Sequence, residues 1–167
     1  MTLLAAEGGL PFLAVSFDVD GTLYRVRAKV LWRAWRMGAL RGMSLLKRAR
    51  EKARAQIFPT EAELTDAVAQ HLAALGSMSV PAAHGIMKTA RDVWFPSLLH
   101  NAAFKDAHVA VQYLRENGFK TAAISDHIAE EKLQALGFNK GDFDIVISAE
   151  ACGAYKPHPR SFLQMAE

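Results

Sequence analysis

The sequence predicts an α/β protein, a parallel sheet of about three strands interrupted after its first strand by an all-helical block. Three observations carry this expectation. The apolar run "PFLAVSF" (11–17) leads into "DVDGTLY", a buried strand that stops in acids and a glycine. From Arg25 to His100 the apolar residues recur at helical spacing. From Phe104 onward helical and strand patterns alternate, which implies parallel strands joined by right-handed crossovers.

In the helical block, Leu31, Trp35, Leu40, Met43, Leu46, Ala49 and Ala53 mark a helix broken near Gly38 and Gly42. Leu31, Trp32 and Trp35 are read as core. After Pro59, Thr60 and Glu63 form a capping box, and the helix they open runs to Gly76 with Leu64, Val68, Leu72 and Leu75 on one face. Pro81 opens a third helix that carries Met87, Ala90 and Trp94 and is expected to end before Pro96. The alternating part then reads as a helix over 104–118, a strand over 120–126, a helix over 129–137, a strand over 143–150 and a helix beginning in 158–167.

Of the 167 residues, 51% are hydrophobic and 22% charged, a globular composition. The single cysteine, Cys152, cannot form an internal disulfide, so a cytoplasmic protein is expected. The apolar N-terminus lacks the basic residues of a secretory leader. Charge is unevenly placed: residues 25–54 hold eleven Lys or Arg and one acid, Glu51, so this stretch carries +10 of a chain whose total is +3. The block is read as a solvated face or a field for small anions. Neither a nucleic acid nor a membrane is expected as a partner.

The polar residues fall at the carboxyl ends of the predicted strands, where parallel sheets bind ligands: Asp18 and Asp20 after the first, Ser125 after the second, Lys156 past the third. Two neighbouring carboxylates repel one another, and a divalent cation relieves the conflict. Mg²⁺ suits an oxygen-only site and shares its shell with phosphate oxygens. One carboxylate can then attack phosphorus while the other handles the proton. The lysine neutralises developing charge, and the hydroxyl and free amides hold phosphate oxygens. Gly21 permits the tight turn that brings those amides close.

The set "DVDGTL", "AAISD" and "YKPHPRSF" resembles the haloacid dehalogenase superfamily of phosphohydrolases. The resemblance implies a Rossmann-like core over 1–24 and 101–167 and a helical cap over 25–100. It implies that Asp18 becomes an aspartyl phosphate, and that Asp20 is the general acid/base whose backbone carbonyl joins the Asp18 side chain on Mg²⁺. Thr22 would orient Asp20, Ser125 would bind the phosphoryl group beside the Gly21–Thr22 turn, and Lys156 would tie Asp18 to it. An aspartate at position 20 favours phosphate chemistry, since the family's dehalogenases carry an aromatic residue there. The expected substrate is a small phosphorylated metabolite selected by the cap.

The chain also departs from the family pattern. The family's fourth motif, one or two acids that complete the Mg²⁺ site, is missing; Glu150 and Glu167 have the wrong context. The fourth and fifth strands are missing too, so the chain reads as C-terminally truncated. That leaves the Asp18 strand at an edge open to self-association. The alternative function is a catalytically silent anion binder or partner-dependent subunit. A phospho-acceptor signalling domain is disfavoured by the helical insert. His127 is read as an exposed loop residue, and Asp126 as a carboxylate that must face away from phosphate. Arg25 and Arg27 stand at the start of the cap as guides for anions or as solvated charges.

Overall fold

The structure is a computed structural model that describes residues 14–26 and 28–166. Pro11–Leu13 of the predicted first strand, the N-terminal residues weighed as a leader, Arg27 and Glu167 lie outside the described residues.

Three strands, β1 (Ala14–Asp18), β2 (Lys120–Ser125) and β3 (Ile145–Ser148), form a parallel sheet in the order β1-β2-β3. The register pairs Asp18 with Ile124 and Ser125 with Ser148, so all three strands end at one level. β2 is central and buried along Thr121–Ser125, whereas β1 is an edge strand with exposed and half-buried positions in alternation. The α/β, Rossmann-like expectation therefore holds for the described residues. β3 is shorter than the sequence predicts because Ala149–Cys152 turns into a 3₁₀ helix.

Five α-helices fill the segment between β1 and the rest of the sheet: α1 (Ala28–Arg36), α2 (Ala39–Ala53), α3 (Glu61–Gly76), α4 (Val80–Thr89) and α5 (Phe95–Leu99). Gly38, in the left-handed region at φ 65°, separates α1 from α2. Gly42, by contrast, lies inside α2 with the Trp94 ring where a side chain would stand. Thr60 caps α3 by accepting the Glu63 amide at 3.2 Å. Pro96 does not end the third helix. A π-helical turn, Ala90–Trp94, joins α4 to α5 and places Pro96 in the first turn of α5, where its missing N–H is no loss.

The sheet is flanked by α6 (Lys105–Glu116), α7 (Ala129–Leu136) and α8 (Arg160–Ala166). One apolar cluster joins the sheet to α6 and α7 through Val19, Ala123, Val111, Leu133 and Phe143. A second ties α2, α3 and α4 together through Leu46, Leu64, Leu72 and Ala83. A third packs Val30 and Ala34 of α1 on Ala39 and Leu98.

That third cluster corrects the reading of α1. Leu31, Trp32 and Trp35 are not core; they are 53, 54 and 67% exposed. Val30 and Ala34 share the i, i+4 spacing of Leu31 and Trp35, one position earlier. The period was right and the phase wrong, because the smaller side chains permit closer approach to α5. Among the described residues, no helix is long and apolar enough to cross a membrane.

Candidate active site

The level ends of the three strands bring Asp18, Asp20, Ser125 and Lys156 into one cluster. Lys156 forms an ion pair with Asp18 and donates to the Ile124 carbonyl at 3.1 Å. Ser125 is fully buried and donates to Asp20 at 2.8 Å or to the His127 carbonyl at 3.0 Å. Its one hydroxyl proton serves one acceptor at a time.

Asp20 is the most heavily bonded member. Its Oδ1 accepts from the Tyr24 hydroxyl at 2.6 Å, and its Oδ2 accepts from Lys132 Nζ at 2.5 Å. Burial pushes the Asp20 carboxyl up, but Lys132, Tyr24 and Ser125 together hold it below the usual carboxylate range. Burial, the Asp20 charge and its hydrogen bond, and then the Asp18 charge drive Tyr24 strongly upward, so its proton stays on the bond. Among the described residues Thr22, expected to orient Asp20, forms no hydrogen bond with it; Tyr24 and Lys132 hold Asp20 instead. Thr22 and Gly21 lie in the exposed turn after β1, where Gly21 adopts φ +90°.

Lys132 has no solvent exposure and also donates to Ser125 Oγ at 2.9 Å. The start of α7 aims it. The Ala129 amide donates to Ser148 Oγ at 2.8 Å and the Ile128 amide to Glu150 at 3.0 Å. Glu150, set aside as a metal acid, thus serves the backbone beneath the site.

Asp126 lines the same cleft as Asp20 and is held by structural partners. It accepts from Arg54 at 2.9 Å and from the Lys156 amide at 2.9 Å, while Arg54 also donates to the Lys156 carbonyl. The end of α2 is thereby fastened to the lysine loop. His127 is not an exposed loop ring. Both its nitrogens are buried without a partner, and it packs edge-on against Phe95 at 5.2 Å. Burial first, then Arg50, Lys132, Arg91 and Arg54, depress its basicity well below the usual value, so it is neutral.

A cleft of about 590 Å³ lies between the helical block and the sheet. Asp20, Tyr24, Asp126 and His127 line it together with Val26, Leu31 and Leu40. Among the described residues no group of three His, Cys, Asp or Glu side chains could hold a metal. The Asp20 carboxylate is spent on Tyr24, Ser125 and Lys132. Asp18 remains, half exposed and with only Oδ1 engaged among the described residues. One half-exposed carboxylate, already paired with Lys156, is a thin donor set for Mg²⁺, whose shell substrate oxygens and water would have to complete.

The haloacid dehalogenase-like hydrolase family matches residues 12–167. The chain belongs to this family. It is similar in fold to an L-2-haloacid dehalogenase (20% identity, TM-score 0.55), with 90% of this chain and 70% of that one covered. The L-2-haloacid dehalogenase of Xanthobacter autotrophicus is 21% identical with TM-score 0.57, over 92% of this chain and 63% of that one. A predicted phosphoglycolate phosphatase of Haemophilus somnus is 17% identical with TM-score 0.54, over 93% and 70%. The sequence has no match among curated proteins. The haloacid dehalogenase-like match fits the sequence motifs, and the solved neighbours share the fold of both dehalogenases and a phosphatase.

Lys132, Tyr24 and Arg54 were missed from sequence. Lys132 had a legible signal: it lies at helical spacing with Ala129, Leu133 and Leu136, on a face that should be apolar. Tyr24 and Arg54 had none, since their partners depend on how the helical block folds back.

Proposed function

We propose that the chain is a Mg²⁺-dependent phosphomonoesterase that moves the phosphoryl group of a small metabolite to Asp18 and then to water. The observation that carries this reading is Asp20, a carboxyl group bonded to Ser125 beside the nucleophile. A halide leaves without a proton, whereas an alkoxide needs one, so an acid at this place supports ester chemistry.

Asp18 attacks phosphorus, the P–O ester bond breaks, and the leaving oxygen takes a proton from Asp20. Asp20 then removes a proton from the water that cleaves the aspartyl phosphate, which frees phosphate and restores Asp18. Asp20 rests ionised; a phosphate dianion beside it raises its proton affinity and equips it for the first step. Ser125 and the Lys156 ammonium hold phosphoryl oxygens, together with amides of the Gly21–Thr22 turn. Asp18 and the Asp20 carbonyl would hold Mg²⁺, which supplies charge neutralisation at the phosphoryl oxygens. The helical block acts as the cap that selects the substrate.

Hydrolysis of an aryl phosphate with Mg²⁺ tests this. Asp18→Asn should lower turnover at least about a thousandfold. Unchanged turnover in that variant, or faster dechlorination of 2-chloropropionate than phosphate hydrolysis, would sink it. The thin acid set among the described residues favours a second reading, a silent anion binder. Mg²⁺-dependent binding of a phosphate mimic without any turnover would support that one.

A further inference from the structure

Helix α1 presents Lys29, Trp32, Arg33, Trp35 and Arg36, none of which lines the cleft that holds Asp20. At about 100° per residue, its sequence separates into three stripes. Val30 and Ala34 face inward. Leu31, Trp32 and Trp35 form an apolar stripe, 53, 54 and 67% exposed. Lys29, Arg33 and Arg36 form the third, at i, i+4 and i+7. The Arg36 guanidinium stacks over the Trp32 ring at 4.9 Å, so the charged and aromatic stripes meet. Val26, Met37 and Leu40 at the two ends of α1 are also exposed, at 54, 36 and 41%. Six large apolar side chains are thus turned to solvent within residues 26–40, inside the segment that carries +10 over 25–54. Scattered surface apolar residues need no explanation, but a cluster does.

We propose that α1 and the start of α2 are a docking face for an anionic lipid bilayer. Trp32, Trp35 and Leu31 enter the boundary between headgroups and acyl chains. Lys29, Arg33 and Arg36 lie on the headgroup phosphates.

The chemistry matches that surface on both counts. A helix with a basic face and a Trp/Leu face lies in the plane of a membrane interface. Tryptophan rings settle at headgroup level, and each basic residue near an anionic leaflet adds attraction. A second copy of the chain fits less well. A twofold interface sets a patch against itself, which would bring one +10 block against another. A nucleic acid would answer the charge and could stack on the indoles, yet it offers no apolar medium to Met37 or to Val26, Leu31 and Leu40 at the rim of the cleft. Hydrocarbon does. The expectation of no membrane partner took the basic run as a solvated face or a field for small anions and Trp32 and Trp35 as core; the two indoles are exposed.

The test is co-sedimentation of the full chain with vesicles of phosphatidylcholine, alone or mixed with phosphatidylglycerol, while tryptophan emission is followed. The expected result is binding to the anionic vesicles only, a blue shift on binding, and release as salt is raised. Arg33→Glu with Arg36→Glu should weaken partition more than about tenfold. Trp32→Ser with Trp35→Ser should abolish the blue shift. Trp32, Trp35 and Arg36 are exposed, Arg33 is half-buried and donates to the His100 carbonyl at 3.4 Å, and circular dichroism checks that both variants stay folded. Asp18→Asn should bind vesicles like the parent chain, which keeps docking separate from turnover. Equal binding to neutral vesicles, no binding at low salt, or full binding by the charge-reversed variant would overturn the proposal. So would tighter retention on single-stranded DNA than on anionic vesicles, or a dimer that the tryptophan variant disperses.

Discussion

Lys132 stands with no solvent exposure between the Asp20 carboxylate and the Ser125 hydroxyl. A buried ammonium is tolerated only where its charge and its protons are matched, and here one acid and one hydroxyl do the matching. Two of the site's carboxylates thus each hold a lysine, Lys132 on Asp20 and Lys156 on Asp18. Lys132→Met would remove one donor from Asp20 Oδ2 and one from Ser125 Oγ. We expect a loss of about 1–3 kcal/mol in urea unfolding, the cost of leaving buried polar groups short of a partner. Turnover of an aryl phosphate should fall at least about tenfold through kcat, because Asp20 loses the contact that fixes its orientation. A variant with parental stability and parental kcat would show that Lys132 positions nothing.

At the scale of elements, the loop between α2 and α3 meets the turn after β3 at one tight point. The Phe58 amide donates to the Gly153 carbonyl at 2.8 Å, and Arg160 donates to the Phe58 carbonyl at 2.7 Å. Gly153 adopts φ +71°, and a Cβ there would collide with the Phe58 carbonyl. Gly153→Ala therefore meets both backbone strain and a steric clash, and should cost about 1–3 kcal/mol in chemical denaturation. Ala154→Gly, one residue on, serves as a comparison without that clash. Periodicity and capping chemistry predicted the elements well where the signal was local. Thr60 and Glu63 announced the start of α3, and the acids and glycine after the first apolar run announced the end of β1. Where two phases of one period competed, as in α1, side-chain size against α5 decided, and that is a tertiary fact. Pro96 misled for a similar reason, since a π turn before it absorbed the missing donor. In the site, Asp18, Asp20, Ser125 and Lys156 were legible because strand ends in a parallel sheet converge. Tyr24, Arg54 and the buried state of His127 were not, because each depends on the helical block folding back.

For the whole molecule, His127 lies where that block meets the sheet. Arg50 and Arg54 from the end of α2, Arg91 from the π turn and Lys132 from α7 all act on its ring, after burial itself, to keep it neutral. The unfolded chain accepts a proton near pH 6.5 that the native chain refuses. Stability from this residue is therefore complete above that pH and is lost as pH falls toward the depressed native value. The slope should reach at most about 1.4 kcal/mol per pH unit. Glu150 acts in the opposite sense at lower pH, because burial raises its carboxyl despite Arg50, Ile128 and Arg91. Comparing the parent with His127→Phe by thermal melts between pH 7 and 5 isolates the histidine. The parent should lose stability more steeply, and parallel curves would contradict the assignment.

Val26, Leu31 and Leu40 are at once exposed and part of the cleft lining. They give the cleft an apolar wall that water covers when nothing is bound. In the proposed phosphatase, a tightly hydrated sugar phosphate would gain little from that wall, whereas a phosphate ester with a hydrocarbon tail would shed water against it.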